Sequence, residues 1–321
     1  MLIYVARRIV WAVIVVLIVL MITFAVFYLM PAGDPAVRFA GKAPTEQSLE
    51  AIRHRLGLDN AWYSQFGHFV KSFVTGDEYG WPGLGYSYDG SVSVRDEIGP
   101  RISRTLLLIL GASIIWLVVG VGIGVISAVR RRTLIDRAAM GFALFGISAP
   151  VFWLGLMGLF VVWKKLHLTG GSGYVPITES VSGFFSHMIL PWVVLSLLYI
   201  AIYARMTRNN LLETLGEDYI MTARAKGLSS WSIVWRHALR ASLAPILTLF
   251  GMDVALLVGG AIITESVFNI QGLGWLAITS ALNQDLPTVV GVVVLAAIAI
   301  TFMNLLVDIA YAFVDPRVRY A

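Results

Sequence analysis

The chain of 321 residues contains no cysteine, which excludes a disulfide framework, a thiol nucleophile and any thiolate metal site. Charge is scarce: Asp, Glu, Lys and Arg make up 13% of residues, about half the fraction usual in a soluble domain. A Gly-x-x-x-x-Gly-Lys-Ser/Thr phosphate loop is also missing. Gly41-Lys42 lacks both the upstream glycine and the hydroxyl residue that should follow, so the chain is not expected to bind ATP itself. His54, His68, His167, His187 and His237 are scattered without metal-ligand spacing. No catalytic triad or acid pair stands out.

What the chain has in quantity is apolar sequence, 58% of its residues. About 20 apolar residues in a helix cross the hydrocarbon of a bilayer. Six stretches qualify, at roughly residues 9–30, 103–129, 138–163, 187–207, 241–264 and 288–313. Pro150 and Pro191 interrupt the third and fourth, where a proline frees a carbonyl and kinks the axis. The first stretch is longer than a signal-peptide apolar region and no small-residue cleavage site follows it, so a retained helix is expected. The expected fold class is an all-α polytopic membrane protein of six transmembrane helices.

The net charge of +5 sits beside these stretches and reads as an orientation signal and a contact with anionic lipid, not as a nucleic-acid surface. Arg7 and Arg8 precede the first helix. Arg130, Arg131, Arg132 and Arg137 lie between the second and third. Arg205, Arg208, Arg224, Lys226, Arg236 and Arg240 lie between the fourth and fifth, and Arg317 and Arg319 close the chain. The other side has Lys164 and Lys165, and no Lys or Arg between Glu265 and Asp285. Both termini are therefore expected in the cytoplasm of a cell (inner or plasma) membrane.

The expected division is 1–30 for the amino terminus and first span, 31–100 for an external segment, and 101–321 for a five-helix core. In the external segment Thr45 can cap a helix with Leu49, Ile52 and Leu56 on one face and Gly57 as its stop. Trp62, Phe66, Phe69, Val70 and Phe73 form a stripe on a second helix. That stripe suits the core of a small cap, the membrane surface or a hydrophobic ligand. Gly76 to Gly90 reads as loop.

The most informative segment runs Leu211-Leu212-Glu213-Thr214-Leu215-Gly216-Glu217-Asp218 and on through Thr222-Ala223-Arg224-Ala225-Lys226-Gly227 to Pro245. Glu217 and Asp218 put acid at the start of a short helix, where the helix dipole favours it. Arg224 and Lys226 put base near its end, and Gly227 supplies a left-handed stop. Ala223 and Ala225 keep part of the surface shallow enough for another protein. The expectation is a short, polar, capped helix near 217–228, presented to a groove on a soluble partner.

Thr222-Ala-Arg-Ala-Lys-Gly227, His237-Ala-Leu-Arg240 and Pro245 together resemble the "EAA" loop of ABC importer permeases. Gly33-Asp34-Pro35, Leu56-Gly57-Leu58-Asp59, Ser148-Ala149-Pro150-Val151-Phe152, Gly259-Gly260 through Thr264-Glu265-Ser266-Val267-Phe268, Gly272-Leu273-Gly274 and Asp315-Pro316-Arg317-Val318-Arg319 resemble the dipeptide/oligopeptide/nickel branch of that family. The likeness covers nearly the whole chain in the family's order. Thr222-Ala223-Arg224 replaces the usual Glu-Ala-Ala, and Asp77 to Val94 is longer than the common pattern. The resemblance implies a permease subunit with an ABC importer core. It would pair with a second homologous permease, two ATPase subunits that bind ATP and Mg, and an external substrate-binding protein. The loop would be the coupling helix. Dipeptides, oligopeptides, nickel chelates and sugars all fit such a chain.

Three acids fall in or beside apolar stretches, where a carboxylate is costly and needs a cavity or a partner. Asp253 near the middle of the fifth stretch either lines a pathway that favours cationic groups, such as a peptide amino terminus, or makes a structural hydrogen bond. Glu265, expected at the outer end of the same helix, is by resemblance an outer gate or subunit contact, or else is simply solvated. Asp308 is expected to pair with a base. Gly120 with Gly124, and Gly259 with Gly260, suit close helix packing. The competing function, a self-sufficient ion-coupled secondary transporter, would use these acids as a relay, but no inverted repeat supports it. A membrane enzyme finds no catalytic set.

Overall fold

A computed structural model describes residues 2–26, 45–56, 59–87 and 92–314. Gly33-Asp34-Pro35, Gly57-Leu58 and 315–319 lie outside the described residues, as do the side chains of Ile52, Leu56 and Asp308. Secondary structure among the described residues is helical apart from isolated bridges pairing Asp77 with Gly80 and Tyr86 with Ser93. In order the helices are α1 Leu2–Phe24, α2 Glu46–Leu56, α3 Trp62–Thr75, α4 Val94–Val129, α5 Leu134–Ser148, α6 Val151–Gly158, α7 Val181–Thr214, α8 Asp218–Ala225, α9 Ser230–Val258, α10 Ile262–Phe268, α11 Leu273–Leu282 and α12 Leu286–Val314.

Five of these, α1, α4, α7, α9 and α12, are long and apolar enough to cross a membrane. The third expected span, 138–163, is broken. Ala149 takes an extended backbone (φ −86°, ψ 128°) and Pro150 starts α6, which continues in a π-helical turn over Leu159–Lys165. The clash of a proline ring with the preceding residue explains the break. Pro191 and Pro245 sit inside α7 and α9 without ending them. Around Pro191, buried Leu190, Trp192 and Leu195 pack with α4 and hold the helix on course. The two halves still track α7 end to end: Asp136 meets Arg208, Gly146 lies against Leu197 and Ala201, Gly158 against Leu190, and Gly170 N–H donates to Ser186 O at 2.7 Å. Together α5 and α6 make one crossing in two pieces.

Other boundaries also moved. The second span begins at Val94, not near 103, because Ser93 Oγ accepts from Asp96 N at 3.2 Å and acids fill the first turn. Pro100 is thus inside α4. The fifth starts at Ser230 and stops at Val258, where Gly260 adopts φ +113°. A Cβ there would lie 2.2 Å from Gly274 Cα, so only glycine lets the end of α9 meet the start of α11.

The core lies between α4, α7 and α9. Trp116, Tyr199, Tyr203, Met188 and Ile246 are buried in it, and Gly120 and Gly124 bring α4 onto Tyr203 and Thr207. By contrast α1 exposes Ile9, Trp11, Ile18 and Ile22, the pattern of a helix facing lipid. The stripe on α3 is half-buried: Phe66, Phe69, Val70 and Phe73 pack with Leu20 of α1 and Val290 and Val294 of α12. Trp62 remains exposed. Asp285 fastens the neighbouring loop to α12, accepting from Ser87 Oγ at 2.7 Å and Thr288 Oγ1 at 2.6 Å.

Candidate functional site: a short helix rooted in the bundle and two buried acids

α8 joins α7 to α9 at one end of the bundle. Glu217 occupies its N-cap position without a side-chain cap, Asp218 starts it, and Arg224 fills the last turn. Lys226 N and Gly227 N close the end on Thr222 O and Arg224 O at 3.1 and 2.9 Å, and Gly227 has φ +80°. Eight residues do not hold a helix in water unaided. The support comes from one face: Ile220 and Ala223 are buried against Val125 and Ala128 of α4, Leu211 of α7 and Ile233 and Val234 of α9.

Ala223 is therefore not on the accessible surface expected for it. It lies three residues after Ile220, and that spacing places both on one helix face. The exposed side consists of Tyr219, Met221, Thr222, Arg224, Ala225 and Lys226. Sequence reasoning missed Trp231 and Trp235, which extend this face. Their rings sit 5.1 Å apart, and Trp231 is 72% exposed. The i, i+4 spacing of two tryptophans was the available signal. Beside α8 a recess of about 420 Å³ is lined by Ala128, Arg131, Leu212 and Arg224.

Asp253 is half-buried on α9, and Tyr203 Oη donates to its Oδ2 at 2.8 Å. Trp116 stacks on Tyr199 with centroids 4.5 Å apart and leans on Tyr203 and Phe250 at 6.3 and 6.2 Å. The acid thus borders an aromatic cluster, with exposed Met252 and Leu256 beside it on α9.

Glu265 is not at the end of α9. The break at Gly260 puts it on α10, outside the long spans, with no exposed surface. Thr105 Oγ1 donates to Oε1 and Trp275 N to Oε2, each at 2.8 Å, while Leu273 N donates to Thr105 Oγ1 at 2.8 Å. The carboxylate thereby caps the start of α11, and simple solvation is excluded. Burial pushes its carboxyl above the usual glutamate range, against the hydrogen bonds from Trp275 and Thr105. Glu265 and Asp253 have separate partners, and neither shares one with α8. Among the described residues no group of His, Cys, Asp and Glu could hold a metal ion.

A bundle of long apolar helices with a short polar helix rooted at one end defines a multi-pass membrane protein. The comparisons identify which kind. Residues 120–320 match the family described as "Binding-protein-dependent transport system inner membrane component", and residues 1–109 match its N-terminal companion family. The chain belongs to this family of ABC transporter permease subunits. It is 38% identical over 318 residues, 99% of each chain, to a "probable peptide ABC transporter permease protein" of Sinorhizobium fredii. It is 37% identical over 328 residues, 94% of each chain, to the dipeptide transport system permease protein DppB of Escherichia coli. A chain of the MetNI methionine ABC transporter in an inward-facing conformation shares the fold, with TM-score 0.53 and 20% identity over 68% of this chain and 96% of that one.

Proposed function

We propose that this permease imports di- or oligopeptides and forms half of the pathway with a second, homologous permease. Two ATPase subunits, which bind ATP and Mg, dock below, one on α8 and one on the matching helix of the second permease, and an external binding protein delivers cargo to the opposite face. The α8 end is then cytoplasmic, as are both termini. Support for that orientation comes from the arginines and lysines gathered at this end, from Arg130 to Arg132 and from Arg205 to Arg240. The peptide cargo rests on the named relatives.

The observation that carries the reading is the two-sidedness of α8. Ile220 and Ala223 root it in α4, α7 and α9, while Tyr219, Met221, Arg224 and Lys226 stay free on the other side. An ATPase that grips the free side moves the roots, and α9 carries that motion to Asp253. Closure of two ATPases would bring two such helices together and alternate access to a central cavity. Asp253, backed by Tyr203, gives the pathway a negative group suited to a peptide ammonium.

The chain has no cysteine, so Lys226→Cys carries a unique handle. A cysteine-directed photocrosslinker on it should capture an ATPase subunit in the assembled transporter. An intact assembly that never yields this product removes α8 from the coupling role.

A further inference from the structure

Asp136 accepts four hydrogen bonds, and the functional reading above does not use it. It sits in the first turn of α5, 5% exposed. Arg208 of α7 grips it with both prongs, Nε to Oδ1 at 2.8 Å and Nη2 to Oδ2 at 2.9 Å. Ser127 Oγ, fully buried near the end of α4, donates to Oδ1, and Arg132 N donates to Oδ2 at 2.9 Å. One carboxylate therefore ties the end of α4, the turn after it, the start of α5 and the α8 end of α7. The fork geometry of a guanidinium on a carboxylate fixes orientation as well as distance.

The position of this knot matters mechanically. α5 is bounded by two places where the backbone can pivot: the turn at Arg130–Thr133, where Arg132 has φ +65°, and the break at Ala149–Pro150. Without a tether, the first half of the broken crossing could swing while α7 moved. Arg208 lies within two turns of the end of α7 at Thr214, and only Leu215, Gly216 and Glu217 separate that end from α8.

We infer that the Asp136–Arg208 pair is a positioning device: it makes the first half of the broken span follow α7 and α8, so that ATPase-driven motion reaches α5 as well as α9. The inference rests on α8 being the ATPase-docking element. Neither residue touches cargo or nucleotide in this account. Both act through the helices they join.

Spin labels at Leu134→Cys on α5 and Glu213→Cys near the end of α7, both exposed in the chain, test it in the assembled transporter in proteoliposomes. With Asp136 and Arg208 intact, the distance between the labels should stay the same in the nucleotide-free and ATP-trapped states. Asp136→Asn added to the pair should let it change. Uptake per ATP hydrolysed should fall about fivefold or more in Asp136→Asn and in Arg208→Gln, and no further in the double variant, because the two act as one unit. A label distance that shifts on ATP trapping with the pair intact overturns the inference, and so do losses that multiply in the double variant. If a variant fails to assemble, the label distance with the pair intact decides alone. A failed Lys226 crosslink would sink the docking role of α8; a shifted label distance with that crosslink formed would sink only the clamp.

Discussion

Glu265 touches no solvent, and its two oxygens accept hydrogen bonds from Thr105 Oγ1 and Trp275 N. Glu265→Ala strands the Trp275 N–H and leaves a cavity, at a cost of about 2–5 kcal/mol. It should lower the thermal unfolding midpoint in detergent far more than Glu265→Gln does. The pH dependence follows from burial, which raises the folded carboxyl above its ordinary value. A raised acid holds its proton to higher pH in the folded chain than in the unfolded one. Its contribution is therefore full below about pH 4.5 and is lost as pH rises through the folded value. The midpoint of the native protein relative to Glu265→Gln should fall as pH rises above about 4.5. Asp253 is the contrasting acid, half-buried with Tyr203 as the partner of one oxygen. Asp253→Asn should reduce uptake of peptides with a free amino terminus about tenfold and spare N-acylated ones. Uptake of both classes left unchanged by the substitution would take Asp253 out of the pathway. The sequence revealed that both acids needed partners, since a carboxylate among apolar residues says so. It did not reveal the partners, because Tyr203 lies 50 residues from Asp253 and Thr105 lies 160 from Glu265.

At the scale of the element, α8 was readable because its signals are local. Acid at Asp218, base at Arg224 and a left-handed Gly227 all act within one short helix. Which face it buries was not readable, since that depends on Val125, Leu211 and Ile233 arriving from three other helices. Ala223, expected to face a partner, faces the bundle. Ile220 is the anchor, fully buried. Ile220→Ala should cost about 2–4 kcal/mol of local packing, most of it in holding α8 down. Hydrogen exchange should then rise across residues 218–225 while the long spans stay protected, and uptake should fall with the total yield unchanged. Uniform loss of protection would mean that α8 is part of the general core and not a separable lever. The broken crossing shows the same limit of local reading. Pro150, Pro191 and Pro245 look alike in sequence, yet only Pro150 ends a helix. What differs is the packing each helix has to hold it straight.

At the scale of the whole molecule, apolar length alone sufficed for the class, since helices are what can cross lipid with their backbone groups satisfied. The division of labour between this chain and its partners follows from where its charges sit. An ion-coupled carrier needs acids that share a route, so that protonating one alters the next. Here Asp253 is tied to Tyr203, Glu265 to Thr105 and α11, Asp285 to Ser87 and Thr288, and Asp136 to Arg208. Each belongs to its own cluster, and three of the four are buried by fixed local donors. Such acids hold helices together; they do not pass protons along. The free, basic and aromatic surface lies instead around α8, where Arg224, Lys226, Trp231 and Trp235 are exposed. On the proposed coupling role of α8, energy enters by contact at that end. Proteoliposomes holding this chain with its partner permease, but without ATPase, should accumulate no peptide under an imposed proton or sodium gradient. Adding the ATPase subunits, ATP and binding protein should start uptake, and Ile220→Ala should stop it. Gradient-driven accumulation without an ATPase would mean that the separate acid clusters communicate after all, and that the lever at α8 is not where the work is done.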